Sequence, residues 1–264
     1  MKRAWCYMAL MAALAIAVSG CGKKESPETS EQPAANAPAG AAVDAATAGS
    51  VTGMAMIEGT APTLKPINMS AEPYCSKAHP TPVVPQEVVV GDKGALANVV
   101  VFVKDDLSGK YQFETPKEPA TLDQKGCMYN PHVVALMVGQ TLQVKNDDQT
   151  THNIHPMPKD NREWNKSQPP GAPPIEDMFA RPEVAIAVKC NVHPWMKSYI
   201  AVFKQPYFAV TSKDGNFDLK NLPPGTYTIE AWHEKYGTSD QSVTIGPKES
   251  KSIMFMFKTA ASGD

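Results

Sequence analysis

Apolar residues along this chain fall in short alternating runs. Between positions 184 and 190 every second residue is Val, Ile, Val or Cys, while Glu183 and Lys189 occupy the other parity. A period of two indicates a β-strand with one buried face, and Cys190 continues that face. Proline-rich connections separate further runs of this kind between residues 51 and 104, namely MAMIEG, EVVVG and ANVVVFVKD. No long segment has the 3.6-residue period of a helix, so the pattern predicts an all-β protein.

The C-terminal part continues the strand pattern and adds strong turn signals. Asp214-Gly215 and Pro224-Gly225 separate alternating runs from Phe208 onward. Such pairs favour tight turns, because glycine adopts backbone conformations that other residues avoid and proline fixes one dihedral angle in advance. This stretch therefore predicts a series of short strands joined by turns.

The first 20 residues, 1–20, predict an export signal. Lys2 and Arg3 precede an apolar run over residues 8–18, which is short for a bilayer-spanning helix. The sequence VSGC, which ends at Cys21, resembles a bacterial lipobox. That resemblance implies cleavage before Cys21, lipidation of Cys21 and anchoring to a membrane, on its periplasmic or cell-surface face and, in a host with two membranes, in the outer one. A plain secretory signal and an uncleaved anchor are the alternatives.

Residues 21–50 predict a tether. From residue 22 onward the segment has no aromatic residue, leucine or isoleucine. Such a composition cannot bury enough apolar surface to offset the entropy that is lost on ordering. We expect a disordered chain between the lipid anchor and the folded part, with an average reach of roughly 30 Å.

The most distinctive chemistry lies in CNVHPWM, from Cys190 to Met196. Cys190, His193 and Met196 are spaced so that one tight loop after a strand can wrap all three around an ion. A fourth ligand must come from a neighbouring strand, and His152 in THNIH is the candidate. One thiolate, two imidazoles and one thioether are the ligands of a blue-copper electron-transfer site. The sequence predicts one type 1 copper site; a buried free thiol and an ordinary buried methionine are the simpler alternatives.

The motif His-Asn, followed downstream by Cys-x-x-His-x-x-Met, resembles the cupredoxins, and the short ligand loop is most similar to that of the amicyanins. The resemblance extends upstream over residues 129–153 and covers residues 118–204 altogether. It implies a Greek-key β-sandwich in which the four residues named above bind copper, with Met196 in the axial position. It also implies that the amide of Asn153 tethers the neighbouring ligand loop.

The resemblance further implies a surface for electron exchange. In the family, the histidine of the C-terminal ligand loop reaches the surface through an apolar patch. By position that histidine is His193, with Pro194 and Trp195 beside it. We expect electrons to pass at this edge during brief docking of an exported redox protein, such as a c-type cytochrome or a dehydrogenase.

Two cysteines, Cys75 and Cys127, remain once the signal, lipidation and ligand positions are assigned. In an exported protein such a pair predicts a disulfide. Two free thiols are one alternative. The other is a second metal site, because His79 follows Cys75 and His132 follows Cys127, although neither spacing is that of a standard zinc motif.

A second resemblance concerns residues 205–259. The run from Asp214 to Tyr227 resembles the carboxypeptidase regulatory-like, or transthyretin-like, β-sandwich, with its Asp-Gly, aromatic and Leu followed by Leu-Pro-Pro-Gly-Thr-Tyr. The opening strands of that family are missing there, and strands of the same type lie in residues 51–117. We expect the copper domain to be inserted into this smaller sandwich. A tandem arrangement, with residues 51–117 as an extension of the cupredoxin domain, is the alternative.

Three classes of function fit these features. The first is a membrane-tethered carrier of single electrons, the second is a copper-binding or delivery protein, and the third is a non-redox cell-surface binding module. An enzyme is not expected, because a copper oxidase or nitrite reductase needs a second copper cluster and the chain has only 6 histidines. The formal net charge of −2 and the lack of a basic stripe argue against nucleic acid as a partner.

Overall fold

The structure, a computed structural model, describes residues 40–259. The predicted signal peptide, the lipidated Cys21 and the tether as far as residue 39 lie outside the described residues. Within the part of the chain that is described, no helix has both the length and the apolar character needed to cross a membrane.

Residues 40–50 correct the predicted tether. The N–H of Ala41 donates to the carbonyl of Lys110 and the N–H of Gln112 donates to the carbonyl of Ala41, both at 3.1 Å. The first strand begins at Gly49. The prediction weighed only the lack of large apolar side chains, whereas backbone hydrogen bonds to a neighbouring segment also hold a chain of small residues in place. The tether prediction is therefore wrong for residues 40–50.

Sixteen strands dominate the described residues, and the all-β prediction is confirmed. In chain order they are β1 Gly49–Glu58, β2 Val100–Val103, β3 Ala120–Gln124, β4 Tyr129–Asn130, β5 Val133–Met137, β6 Leu142–Asn146, β7 His152–Met157, β8 Lys166–Gln168, β9 Ile175–Asp177, β10 Glu183–Lys189, β11 Lys197–Phe203, β12 Phe208–Val210, β13 Asn216–Leu222, β14 Gly225–His233, β15 Gly237–Ile245 and β16 Ser250–Lys258. One short helix, α1, spans Pro73–Ala78, and a 3₁₀ turn spans Asp92–Gly94.

Strands β3 to β11 form what we call the central sandwich, because it is central in the sequence. One sheet has the strand order β5-β11-β10-β7-β8 and the other has the order β4-β3-β6-β9. Side chains of both sheets meet in one buried apolar cluster, which includes Leu122, Val144, Ile186 and Ile200. Burial of these side chains between two sheets fixes the strand ends on which the predicted ligands lie.

Strands β1, β2 and β12 to β16 form the flanking sandwich. Its two sheets have the strand orders β13-β1-β16 and β12-β2-β14-β15. Val51 and Val101, which precede the central sandwich in sequence, share one buried cluster with Leu219, Ile229 and Phe255, which follow it. The flanking sandwich is thus built from both ends of the described chain. The residue boundaries drawn from the sequence, at 117 and 204, remain predictions.

A third apolar cluster joins the two sandwiches. The ring of Phe203 in β11 stacks on that of Phe208 in β12, with 4.7 Å between ring centroids, and the ring of Phe102 in β2 lies 5.0 Å from that of Phe203. Val133 and Ala201 are buried in the same cluster. The two sandwiches therefore share a packed interface.

Strand β10 departs from the simple alternation that its sequence predicts. Ala185 has a positive φ of 66°, and the register with β11 shifts between Glu183 and Ile186. A bulge of this kind adds one residue and so reverses the faces on either side of it. Val184 accordingly packs against the cluster between the sandwiches, whereas Ile186 lies in the central core. The prediction of one shared face is wrong for Val184.

Candidate metal centre

Strands β7 and β10 bring the predicted ligands to the same end of one sheet. They pair antiparallel, with His155 opposite Lys189. His152 begins β7, and Cys190 directly follows β10. The loop that starts at Cys190 then leads into β11. The antiparallel register therefore places His152 beside this loop, although the two are distant in sequence.

Three donor atoms of the predicted ligands converge. His152 Nδ1 lies 2.9 Å from His193 Nδ1, and Cys190 Sγ lies 3.9 Å from the same His193 atom. One ligand atom from each of the three residues lies within 4.8 Å of the other two. Both histidines are completely buried, and Cys190 is only 2% exposed. Two nitrogens and one sulfur at these separations, away from water, can hold a single metal ion.

Backbone hydrogen bonds close the ligand loop. The N–H of His193 donates to the sulfur of Cys190 at 3.4 Å. The N–H of Met196 donates to the carbonyl of His193 at 2.9 Å, and the N–H of Cys190 donates to the carbonyl of Met196 at 3.2 Å. Met196 is fully buried in the central core. These bonds thus fix the backbone of the loop as a tight turn, and the axial role of Met196 remains a prediction.

Asn153 links the two segments that carry ligands. Its Oδ1 accepts a hydrogen bond of 2.8 Å from the N–H of Asn191, which directly follows Cys190. Its Nδ2 donates to Asn165 Oδ1 and to the carbonyl of Lys166, the latter at 3.3 Å. The side chain of Asn153 therefore ties the start of the ligand loop to β7, in the position that the sequence suggested.

Asp148 is a residue of the site that the sequence reasoning missed. Its Oδ2 lies 2.8 Å from His152 Nε2, so one imidazole nitrogen faces the carboxylate and the other faces the centre. The carboxylate also accepts the N–H groups of Gly126 and Cys127, each at 2.7 Å, and the hydroxyl of Tyr74 at 3.2 Å. Asp148 is nearly completely buried. An aspartate four residues before a histidine in a polar loop does not by itself indicate this contact.

Burial and hydrogen bonding oppose each other in setting the pKa values of the centre. Burial raises the pKa of the Cys190 thiol, but contacts with His152 and with backbone N–H groups outweigh it, and the pKa is lowered. Burial lowers the pKa of His152, but Asp148 and Cys190 outweigh it, and the pKa is raised. The pKa of His193 is lowered, first by burial and then by the charge of His152. The centre therefore favours the thiolate of Cys190, which is the form that binds metals.

Residues from the N-terminal side cover the edge of the centre at His193. Cys75, in α1, forms a disulfide with Cys127, and one ligand atom of His193 lies within 4.8 Å of both sulfurs. Glu72, just before α1, places its Oε2 3.9 Å from His193 Nε2. That nitrogen is buried and has no hydrogen-bond partner among the described residues. We call α1, Glu72 and the disulfide the cover.

The cover corrects the predicted electron-exchange surface. His193 has no exposed area, whereas Pro194 is exposed and Trp195 is partly buried. The prediction took the edge of the ligand loop to be free, as in the cupredoxins, and nothing in residues 59–98 indicates that this segment packs there. His193 therefore does not reach the surface itself.

His79 and His132, the histidines considered for a second metal site, do not form such a site with Cys75 and Cys127. A ring nitrogen of His79 contacts the carbonyl of Gly126, and His132 contacts the carboxylate of Glu234. The two sulfurs are bonded to each other. The structure thus gives no support to a metal site built from Cys75, Cys127 and these two histidines.

The strands that follow the ligand loop carry the sequence features of a known family. Residues 198–257 match the carboxypeptidase regulatory-like domain. The resemblance noted between Asp214 and Tyr227 is thereby confirmed. The regulatory-like match begins inside β11 of the central sandwich and includes β12 to β16 of the flanking sandwich. Strands β1 and β2, which lie outside the match, complete the two sheets of the flanking sandwich.

Several solved protein structures are similar to parts of the chain. A methionine-to-alanine mutant of amicyanin with Cu(I) is 19% identical with a TM-score of 0.29, over 34% of this chain and 86% of that one. A purple cupredoxin from Nitrosopumilus maritimus is 22% identical with a TM-score of 0.27, over 31% and 98% of the two chains. A Cu-containing nitrite reductase from Thermus scotoductus SA-01 is 20% identical with a TM-score of 0.30, over 36% of this chain and only 24% of its own. Comparison with curated proteins finds no match.

Proposed function

We propose that this chain is a carrier of single electrons that binds one type 1 copper ion through His152, Cys190, His193 and Met196. The main support is the approach of two buried imidazole Nδ1 atoms to 2.9 Å beside a buried thiol. Copper bound by such soft and imidazole ligands can gain or lose one electron. The closed loop and the link through Asn153 keep the ligands in place, which keeps rearrangement small when the charge changes.

Burial of the centre favours a carrier over a protein that delivers copper. Both histidines are completely buried, and the disulfide of the cover lies against His193. A delivery protein must expose its ligands to an acceptor, whereas a carrier only needs a short path for the electron. A role in copper delivery therefore has less support from the structure than a role as an electron carrier.

The arrangement of possible ligands favours a carrier over an enzyme. Among residues 40–259, three groups of His, Cys, Asp and Glu side chains have metal-binding spacing, and each of them includes His152 or His193. These groups describe one centre rather than two. A copper oxidase or nitrite reductase would draw on a second cluster, so we propose a non-enzymatic role.

We propose that electrons enter and leave at Trp195. Its ring lies 5.2 Å from the ring of His193, and its indole N–H donates to the carbonyl of Cys127 at 3.1 Å. Trp195 and Pro194 line an open groove of about 310 Å³, which Lys235 of the flanking sandwich also borders. Trp195 therefore links the covered histidine to a surface on which an exported redox partner, such as a c-type cytochrome or a dehydrogenase, can dock.

The proposed anchor is the lipid on Cys21, which would hold the carrier on the periplasmic or cell-surface face of a membrane. Support comes from the lipobox-like sequence alone. Metabolic labelling with palmitate tests it: the wild type should incorporate label and sediment with membranes. Cys21→Ser should lose both properties and Cys6→Ser should keep both. Equal labelling of wild type and Cys21→Ser would refute the anchor.

Copper loading of the full-length chain tests the carrier. We expect an intense visible band from charge transfer between the Cys190 sulfur and copper, together with a reversible one-electron couple. Cys190→Ser should abolish the band, while Met178→Leu, which changes an exposed methionine, should retain it. A colourless copper adduct of the wild type would favour storage or delivery. No uptake of copper would leave a non-redox binding module.

A further inference from the structure

Four methionines lie in register on one face of the flanking sandwich. Strands β1 and β16 pair in parallel, with Met54 opposite Met254 and Met56 opposite Met256. The two strands read MAM and MFM at these positions, so the methionines share one parity. We call these four residues the methionine patch.

The alternate residues of both strands show that the patch faces outward. Ala55 and Phe255, which lie between the methionines, are completely buried in the core of the flanking sandwich. Earlier on the same face, the hydroxyls of Ser50 and Ser250 meet at 3.0 Å, so opposite side chains of this parity are in contact. The methionines therefore project from the other side of the sheet.

The patch is open to solvent at β16. Met254 is 50% exposed and Met256 is 44% exposed, while Met54 and Met56 are partly buried. Exposed strand positions are usually filled by polar or β-branched residues. Methionine is neither polar nor β-branched. Core packing does not explain four thioethers on this face, because all four point away from the core.

We propose that the methionine patch binds a soft monovalent ion, Cu(I). Neighbouring strands lie about 4.8 Å apart and alternate residues about 6.6 Å apart, so four flexible side chains start from a small rectangle. Thioethers are soft, uncharged ligands that select Cu(I) and related ions over hard cations. The next residues on this face, Glu58 and Lys258, carry opposite charges, so the patch does not repel a cation.

The site is separate from the buried centre and does not depend on it. All four ligands come from β1 and β16 of the flanking sandwich, whereas the buried centre belongs to β7 and the loop after β10. The patch needs no deprotonation, because a thioether has no proton to lose. It offers a place for cuprous copper at the surface of the protein.

Titration of the full-length chain with Ag(I), a redox-inert stand-in for Cu(I), tests the site. The chain carries ¹³C-labelled methionine methyl groups and the change Cys190→Ser, which weakens the buried centre, and binding is followed by NMR. We expect the methyl signals of the four patch residues to move together and the signal of Met178 to stay unchanged. A parallel titration of wild-type protein already loaded with Cu(II) covers the case in which Cys190→Ser does not fold.

Replacement by leucine shows whether binding needs the thioether sulfur, because leucine keeps the apolar side chain but has no sulfur. The pair Met254→Leu and Met256→Leu should weaken Ag(I) binding by about tenfold or more, and Cu(I) competition against a coloured chelator should show the same loss. Met178→Leu is the matched control and should have no effect. Unchanged affinity in the leucine pair, or patch signals that respond to detergent micelles and not to Ag(I), would overturn the proposal. The visible copper band reports on the buried centre independently.

Discussion

His152 Nε2 lies 2.8 Å from Asp148 Oδ2 in a setting where both residues are almost completely removed from solvent. The opposite ring nitrogen, Nδ1, faces His193. A carboxylate behind a metal-binding imidazole fixes the orientation of the ring and makes it a stronger electron donor. The pair therefore connects the loop before β7 to the electronic character of the centre.

The first prediction concerns this carboxylate. Asp148→Asn removes a negative charge behind His152, so the oxidised, more positive state of copper loses stabilisation and the reduction potential rises. We expect a rise of roughly tens of millivolts in voltammetry, with 59 mV corresponding to a tenfold change for one electron. Tyr74→Phe removes only the hydroxyl contact to Asp148 and is the control, with little change expected. A lower potential in Asp148→Asn would contradict the assigned role.

The second prediction concerns the route of the electron. Trp195→Glu should slow electron exchange with a c-type cytochrome by about tenfold or more, because a charge now occupies the proposed docking surface. The visible copper spectrum should stay intact. Trp195→Phe keeps an aromatic ring and should slow exchange less. Stopped-flow mixing measures all three rates, and equal rates for wild type and Trp195→Glu would rule out this surface.

The third prediction concerns the disulfide of the cover. Cys75 and Cys127 are 52 residues apart, and closing a loop of that size lowers the entropy of the unfolded chain. Replacing both cysteines by alanine should lower the free energy of unfolding by about 4 kcal/mol, as read from urea denaturation. The same variant should release copper to a chelator faster, since the cover over His193 is no longer tied down. Unaltered stability and release would show that the disulfide contributes to neither.

The fourth prediction concerns acid stability. Burial lowers the pKa of His233 to about 4; Glu234 opposes this and His132 adds to it. The ring also lies against Tyr236 and Phe257. The unfolded chain takes up this proton near pH 6.5, whereas the folded chain resists it until about pH 4. The stability due to neutral His233 is complete above about pH 6.5 and is lost as the pH falls from there towards 4.

Urea denaturation at several pH values between 7 and 4 measures this loss. The contribution of His233 to the slope should approach about 1.4 kcal/mol per pH unit. His233→Gln should unfold with a shallower dependence on pH over this range. Equal slopes for wild type and His233→Gln would contradict the prediction.

The convergence of His152, Cys190 and His193 could be predicted because ligand chemistry restricts both residue type and spacing. Asp148 could not be singled out in the same way, since an aspartate in a polar loop is common and its burial depends on Gly126 and Cys127. The sequence pattern identified the ligand residues but not Asp148, the neighbour that orients His152.

Contacts between segments that are far apart in the sequence could not be predicted from local patterns. The burial of His193 depends on α1 and Glu72, which precede it by more than a hundred residues and carry no signal of where they dock. The methionine patch depends on the register between β1 and β16, which neither strand shows alone. The bulge at Ala185 likewise depends on how β10 pairs with β11.

The parallel pairing of β1 with β16 has a consequence for how the chain reaches its native state. Ser50 meets Ser250 across a separation of 200 residues, so β1, the first of the described strands to leave the ribosome, has to wait for β16, the last of them. Such a high contact order slows folding and leaves an apolar strand edge exposed while synthesis is completed. Loss of the last strand to premature termination would therefore leave the opening strand without its longest partner and prone to aggregation.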